Sequence, residues 1–319
     1  MKSKSFWIRL LLSIGLITFL FYSVDMQHTL STLANSNPVY LLVALVIAIG
    51  DRILMAYKWN LLLREKEINL SLLNGDALRV YAVARGGHRA SDVLSSIIVE
   101  RALGFIALFL FVLTSITLSI FVFGQSFFSG IWNLFWIFVG LLVVFVGGIY
   151  LSLRETALRR LMSLLRNSKV REHKFYKKLG EVYYSYHSYH DNLPLLTAFL
   201  FLSLLENLFP LSWTYFLSLA FNIEVPLLYF FILIPIVLVL VRLPISLDGI
   251  GIQEGAYVYF LSLIGVPKSE ALLLGLASHV LGIVSVLPGG VLYGFSGLNV
   301  RQPMRLEEIQ PDYTAPTKK

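Results

Sequence analysis

The fold of this protein is decided by one stretch, RLPISLDGIGIQEGAYVYF, which runs from Arg242 to Phe260. The sequence on both sides is as apolar as a membrane helix, yet the stretch contains Asp248, Glu254, a proline and three glycines. Charged side chains and helix breakers are costly within a bilayer unless they are buried in protein or line a wet cavity. The stretch therefore predicts a membrane helix that is interrupted around a polar site.

Composition fixes the class of protein. The chain has 319 residues, of which 57% are hydrophobic and 14% are charged, and its mean hydropathy is +0.74. Soluble domains have about 25% charged residues, and a single soluble core cannot cover this much apolar surface. We therefore expect an all-α, polytopic integral membrane protein. The chain contains no cysteine, which excludes disulfides, thiolate metal sites and cysteine nucleophiles.

Eight segments qualify as membrane spans, for which about 20 apolar residues are needed. Two are marginal, because the seventh is short and LPGG at residues 287–290 interrupts the eighth. We expect about eight transmembrane helices, some of them broken or re-entrant, and an uncleaved first span rather than a signal peptide. The segments are Phe6–Val24, Val39–Trp59, Ile97–Phe123, Ile131–Leu151, Pro194–Phe221, Val225–Leu243, Gly249–Ile264 and Ala271–Phe295.

Basic residues predict the orientation of the chain. The N-terminus, residues 58–92, residues 152–193 and the C-terminal tail are rich in Lys and Arg, whereas the loops between them have almost none. By the positive-inside rule, this alternation predicts a multi-pass protein of the cell (plasma) membrane with both termini cytoplasmic. We expect one transmembrane domain at residues 1–300 and a disordered cytoplasmic tail at residues 301–319.

The basic cytoplasmic loop at residues 152–193 has two notable features. Leucines recur at helical spacing against arginines between residues 158 and 165, which indicates an interfacial helix attracted to anionic lipid, although charges that only set the topology explain the pattern equally well. The run YYSYHSYH follows at residues 183–190. We interpret it as an aromatic belt, because His187 and His190 without nearby carboxylates are weak evidence for a metal site. No metal is expected.

Four polar clusters interrupt the apolar sequence, and Glu206 with Asn207 forms a further candidate. Each cluster has a structural explanation, since arginines can extend to the interface and neighbouring acids and bases can pair in solvent. We favour one shared polar cavity, because intramembrane charge costs about 2.5–3.5 kcal/mol per residue. The residues expected to bind substrate are Arg52, Asp76, Arg79, Glu100, Arg101, Asp248 and Glu254, and those expected to break helices are Pro244, Gly249, Gly251 and Pro288.

Four motifs carry a resemblance to a known family. Taken in order and spacing, they make the chain from about Val39 to Gly297 resemble the lysylphosphatidylglycerol synthase/flippase transmembrane family. The resemblance implies a flippase-like membrane protein that moves or handles aminoacylated or glycosylated lipids. Two-domain members join such a region to a soluble aminoacyl-transferase domain, and since none follows here we expect no synthase activity. The motifs are Arg52 with WNLLL at residues 59–63, GDALR at 75–79, ERALG at 100–104 and PISLDGIGIQEG at 244–255.

We expect the polar cavity to bind a lipid head group and to let it cross between leaflets. The arginines would contact the phosphate, which guanidinium groups bind bidentately, and the acids would hold the arginines or contact a cationic head group. The expected partners are membrane lipids, anionic or glycosylated, and a lipid-modifying transferase, without a cofactor or nucleic acid.

Two alternatives stay open at this point. One is an accessory or catalytic subunit of a lipid glycosyl- or aminoacyl-transfer pathway, with Asp76 or Asp248 as the catalytic carboxylate. The other is an ion-coupled transporter of small solutes. The sequence has no nucleotide-binding loop, zinc-protease motif or serine-hydrolase motif, so an enzyme is the less favoured interpretation.

Overall fold

A computed structural model describes residues 2–22, 25–66, 90–123, 131–152 and 174–289 of the chain. Regular structure within these ranges is helical throughout, and they contain no strand. The helices are α1 Lys2–Tyr22, α2 Met26–Ala34, α3 Pro38–Arg64, α4 Ala90–Phe123, α5 Ile131–Ser152, α6 Lys174–His187, α7 Leu193–Glu206, α8 Leu208–Ala220, α9 Leu227–Arg242, α10 Ile252–Ser262 and α11 Lys268–Val284, with a short 3-10 helix at Ser188–Asp191.

The described residues contain five candidate membrane spans by length and apolar composition. Two further apolar helices, Arg9–Tyr22 and Leu227–Arg242, are shorter. The all-α, polytopic membrane fold is confirmed, whereas the count of eight spans is not. The predicted seventh span contains only α10, whose 11 residues extend about 16 Å and do not cross a hydrocarbon core of about 30 Å. The five spans are Pro38–Arg64, Ser91–Val122, Phe135–Ser152, Leu193–Ala220 and Lys268–Gly289.

Asparagine and proline mark the beginnings of two spans. The Asn37 side chain accepts a hydrogen bond from the Val39 N–H at 3.0 Å, and Pro38 occupies the first helical turn of α3. Asn192 caps α7 in the same way, accepting from the Leu195 N–H at 3.1 Å. An asparagine cap satisfies a backbone donor that the helix cannot, and proline fits at the first turn because its missing N–H would be unpaired there.

The hydrophobic core lies among α3, α8, α9, α10 and α11. Ala44 and Ala48 are fully buried on one face of α3, along which α8 packs. Small side chains at this spacing let two membrane helices approach closely. By contrast, α5 lies at the periphery, where Val143 and Val144 are 65% and 73% exposed. An apolar helix exposed in this way is suited to contact lipid.

A polar layer joins the ends of α3, α4 and α6 beside the basic loop. The Lys66 ammonium donates to the Ser185 carbonyl at 2.8 Å and to the Ser188 hydroxyl. Burial lowers the pKa of Lys66 below its ordinary value. The Tyr189 hydroxyl donates to the Leu62 carbonyl at 2.9 Å. Lys66 lies just beyond the span Pro38–Arg64 and Leu62 lies in its last turn, so these contacts hold the end of α3 against the segment Ser185–Tyr189.

The aromatic run at the end of the basic loop forms a stack. The rings of Tyr183 and His187 are 6.0 Å apart and nearly parallel, and His190 continues the stack at 6.0 Å. Within the described ranges, no group of three or more His, Cys, Asp or Glu side chains is placed to hold a metal ion. The predicted interfacial helix at 158–165 and the predicted disordered tail at 301–319 lie outside the described residues.

Candidate functional site

A cavity of about 860 Å³ opens among α3, the α7–α8 junction, α9, α10 and α11. Much of its wall is apolar, as in most ligand pockets, and includes Trp213, Ile234 and Val237. Charged and ionisable groups are concentrated on the remainder of the wall. The six acidic or basic side chains that line the cavity are Asp51, Arg52, Glu206, Arg242, Asp248 and His279.

The cavity lies midway along the spans that form it. Asp51 and Arg52 are at the middle of the span Pro38–Arg64, and His279 is at the middle of Lys268–Gly289. Glu206 is likewise at the middle of Leu193–Ala220. Because the centre of a bilayer is the most costly depth for a charge, three spans that place their charges there point to a site at the membrane midplane.

Asp51 and Arg52 form an ion pair that is incompletely satisfied. The Arg52 Nη2 atom lies 2.8 Å from Asp51 Oδ2, and the Asp51 side chain is only 4% exposed. Asp51 Oδ1 and Arg52 Nε are buried without a hydrogen-bond partner among the described residues. Buried polar atoms nearly always have a partner, so this pair leaves one acceptor and one donor available beside the cavity.

A second buried ion pair lies where α7 meets α8. The Lys58 ammonium contacts the Glu206 carboxylate, with side chains that are 6% and 28% exposed. Asn207, the single residue between the two helices, donates from its side-chain amide to the Ser203 carbonyl at 2.9 Å. The Lys58 ammonium also lies 4.8 Å from the centre of the Phe199 ring. Glu206 therefore reaches the cavity while its cation stays behind it.

The opening stretch of the sequence forms a non-helical segment between α9 and α10. Pro244, Gly249 and Gly251 all lie in this segment, with φ angles of 79° and 84° at the two glycines. Gly251 is covered by α1, because a Cβ atom added there would be 2.5 Å from the Cβ of Leu16. Asp248 also has a positive φ, of 51°, and faces the cavity.

Glu254 lies in the first turn of α10 and connects the break to α11. Its Oε2 accepts from the Gly251 N–H at 2.6 Å, and its Oε1 lies 2.9 Å from Nδ1 of His279. The side chains of Glu254 and His279 are 2% and 11% exposed. Gly275 makes this pairing possible, because a Cβ atom there would be 3.1 Å from the Glu254 Cα. The pair therefore lies in the wall, with the imidazole on the cavity side.

Hydroxyl groups and an indole form the polar part of the wall next to this pair. The Trp213 indole N–H donates to the Ser278 hydroxyl at 3.0 Å, and the Tyr257 hydroxyl lies 3.1 Å from that of Thr214. Tyr257 and Ser278 line the cavity and are 3.4 Å apart. The network joins α8, α10 and α11, so it holds three walls of the cavity in fixed positions.

The structure brings together only part of the predicted substrate-binding set. Arg52 and Asp248 line the cavity, and Glu254 lies directly behind it. Glu100 and Arg101 are on α4 and do not line it, although Arg101 is one turn from Phe105, whose ring lies 5.4 Å from the Arg242 guanidinium. Of the other predicted residues, Asp76 and Arg79 lie outside the described residues, and Pro288 lies beyond α11, next to the cavity-lining Leu287.

Sequence reasoning missed His279. The residue lies in the predicted eighth span, and an ionisable side chain inside an apolar segment is itself a signal of function. Nothing in the sequence near His279 indicates its partner, because Glu254 is 25 positions away. Asp51 and Arg242 also line the cavity, although neither is in the predicted substrate-binding set.

Comparison with known proteins identifies the family. The family model described as the lysylphosphatidylglycerol synthase TM region matches residues 6–75 and 71–290. The chain belongs to this family. Every described residue of the cavity wall falls within the matched ranges. No curated protein and no solved structure matches the chain. Membership in the lysylphosphatidylglycerol synthase TM region family, with the five spans, makes the chain a multi-pass membrane protein related to lipid handling.

Proposed function

We propose that this protein is a flippase that translocates modified lipids, aminoacylated or glycosylated, through the midplane cavity. The observation that carries the proposal is a cavity midway along its spans with arginines on two walls, Arg52 on α3 and Arg242 at the end of α9. A lipid head group has to pass the midplane to change leaflets, and a polar cavity there lowers the cost of that passage. Family membership supports a lipid as the substrate, and the position of the cavity supports passage of its head group across the midplane.

The two arginines are suited to a phosphate. Guanidinium groups bind phosphate oxygens through two parallel hydrogen bonds. Arg52 has an unused Nε–H, and among the described residues no carboxylate lies within ion-pair distance of Arg242. Asp51 Oδ1 then accepts from a hydroxyl or ammonium group of the same head group. This set of donors and acceptors fits anionic or glycosylated lipids.

The proposal also places the protein in its membrane and beside a partner. The basic loops support an orientation with both termini on the cytoplasmic side of the plasma membrane. A transferase that attaches the amino acid or sugar would supply the lipid from that side.

The chain has no cysteine, so Ser3→Cys and Thr317→Cys give single labelling sites. If an impermeant maleimide labels each cysteine only after the membrane is permeabilised, so that the reagent reaches the cytoplasmic side, the result supports this orientation.

The test is scrambling of head-group-labelled lipid by protein reconstituted into vesicles. Wild type, Arg52→Gln and Arg242→Gln are compared with Arg64→Gln, which removes an exposed arginine at the end of α3 away from the cavity. Losing a charge-assisted hydrogen bond to phosphate slows transfer about tenfold or more. We expect slow scrambling by both cavity variants and an unchanged rate with Arg64→Gln.

The labelled lipids are phosphatidylglycerol, its lysyl ester and a glycosylated lipid, each in separate vesicles. No scrambling of any of them by the wild type, with the protein correctly folded, would overturn the proposal. Product formation from an activated donor by the purified protein would then favour an accessory or catalytic role in lipid modification.

A further inference from the structure

The proposed function leaves one polar pair in the cavity wall without a role. Among the described acids beside the cavity, Glu254 is the most deeply buried, with a side chain that is 2% exposed, and the side chain of its partner His279 is 11% exposed. They lie on α10 and α11, two helices that pack closely through Gly275. A buried carboxylate in a membrane protein carries a high energetic cost, so its retention at this point requires an explanation.

The hydrogen bonds show how the pair is oriented. One oxygen of Glu254 caps the Gly251 N–H at the start of α10, which is sufficient for a structural role. The second oxygen is bound to Nδ1 of His279. This bond fixes the imidazole ring and leaves Nε2 for a group within the cavity, whose wall includes His279. A carboxylate that orients an imidazole in this way also stabilises its cationic form.

The other charges around His279 determine what this cation can bind. Acids and bases face it from several elements, whereas the sequence of α8 contains neither. The nearest negative charge is that of Glu254, and both cavity arginines lie on other walls. The charged or titratable groups that line the cavity around His279 or pair with it are Asp51 and Arg52 on α3, Arg242 at the end of α9, Asp248 in the break, and Glu254 and Tyr257 on α10.

We propose that His279 is the third phosphate-binding group of the cavity and binds as an imidazolium positioned by Glu254, so that a proton enters the cavity with each anionic head group. The proposal rests on the proposed function and specifies the chemistry of the same site. The proton comes from water, binds the imidazole, and returns to water when the head group leaves. His279 contacts the ligand, and Glu254 acts through His279.

The test measures binding of a short-chain phosphatidylglycerol to the purified full-length protein in neutral detergent, between about pH 5 and pH 9, a range that brackets histidine titration. Calorimetry in two buffers of different ionisation enthalpy gives the number of protons taken up on binding. We expect the wild-type affinity to fall as pH rises. His279→Gln should bind about ten- to a hundredfold more weakly at low pH, as for loss of a charged hydrogen bond, and show no proton uptake.

Two further variants separate this role from a structural one. Glu254→Gln keeps an acceptor for the Gly251 N–H and removes the negative charge, so the fold is retained while the pH midpoint of binding moves to lower pH. His190→Gln removes a histidine that is 58% exposed and outside the cavity, and it should behave as wild type. Elution volume and thermal unfolding confirm that each variant is folded.

A flat pH profile for the wild type, or equal affinity and proton uptake for wild type and His279→Gln, would overturn this proposal. If the wild type also scrambles lipid in vesicles, the proposed function stands without it. Absence of scrambling by the correctly folded wild type would instead reject the proposed function itself, whatever the binding result.

Discussion

The ion pair between Lys58 and Glu206 predicts an asymmetric response to removal of either partner. The Lys58 side chain is 6% exposed, whereas Glu206 is 28% exposed and faces the cavity. Glu206→Leu leaves the Lys58 ammonium buried without a partner. Breaking a buried ion pair in this way lowers the free energy of unfolding by about 3–5 kcal/mol. Lys58→Met leaves a carboxylate that water in the cavity can reach, so its cost is smaller, about 1–3 kcal/mol.

The double variant completes the argument. Lys58→Met combined with Glu206→Leu leaves no unpaired charge, and methionine keeps the apolar contact that the Lys58 side chain makes near Phe199. We therefore expect the double variant to be more stable than Glu206→Leu alone. The free energy of unfolding of all four proteins would be measured by steric trapping in bicelles. Additive effects of the two substitutions, or a larger cost for Lys58→Met than for Glu206→Leu, would refute the reasoning.

Three further predictions concern stability. Gly251→Ala should cost about 2–5 kcal/mol, from a positive φ and a clash with Leu16, whereas Gly255→Ala, where nothing lies within 4 Å of the added atom, should be neutral or stabilising by the same unfolding assay. Tyr189→Phe should cost about 1 kcal/mol for its lost hydrogen bond, and an unchanged unfolding free energy would contradict the geometry. Because burial lowers the pKa of Lys66, the unfolded chain binds this proton more tightly. The free energy of unfolding should therefore increase as pH rises toward about 10. Measured against pH, this increase should be absent from Lys66→Met.

The break at residues 243–251 was predictable because its signals are local. Pro244, Gly249 and Gly251 restrict or release the backbone within a few residues, and no distant part of the chain is needed to recognise them. The number of membrane spans was harder to predict from the sequence. Hydropathy joined the break and α10 into one apolar run, whereas the hydrogen bonds divide them at Gly251.

Whether a side chain lines the cavity depends on how its helix is rotated about its own axis, and the sequence alone does not show this rotation. Arg52 and Arg101 are both charges next to an acid within apolar sequence, yet only Arg52 lines the cavity. Similarly, Glu254 was recognised as an intramembrane charge, but its partner His279 became visible only when α10 and α11 were packed together.

The position of the cavity midway along its spans has an electrical consequence. A charge that moves from a membrane surface to the centre crosses about half of the transmembrane field, which is worth about 1.2 kcal/mol per 100 mV. A singly charged anionic head group that enters together with one proton carries no net charge through this distance. The membrane voltage would then do no work on the passage, and the concentration differences of the lipid and of protons would together determine its direction.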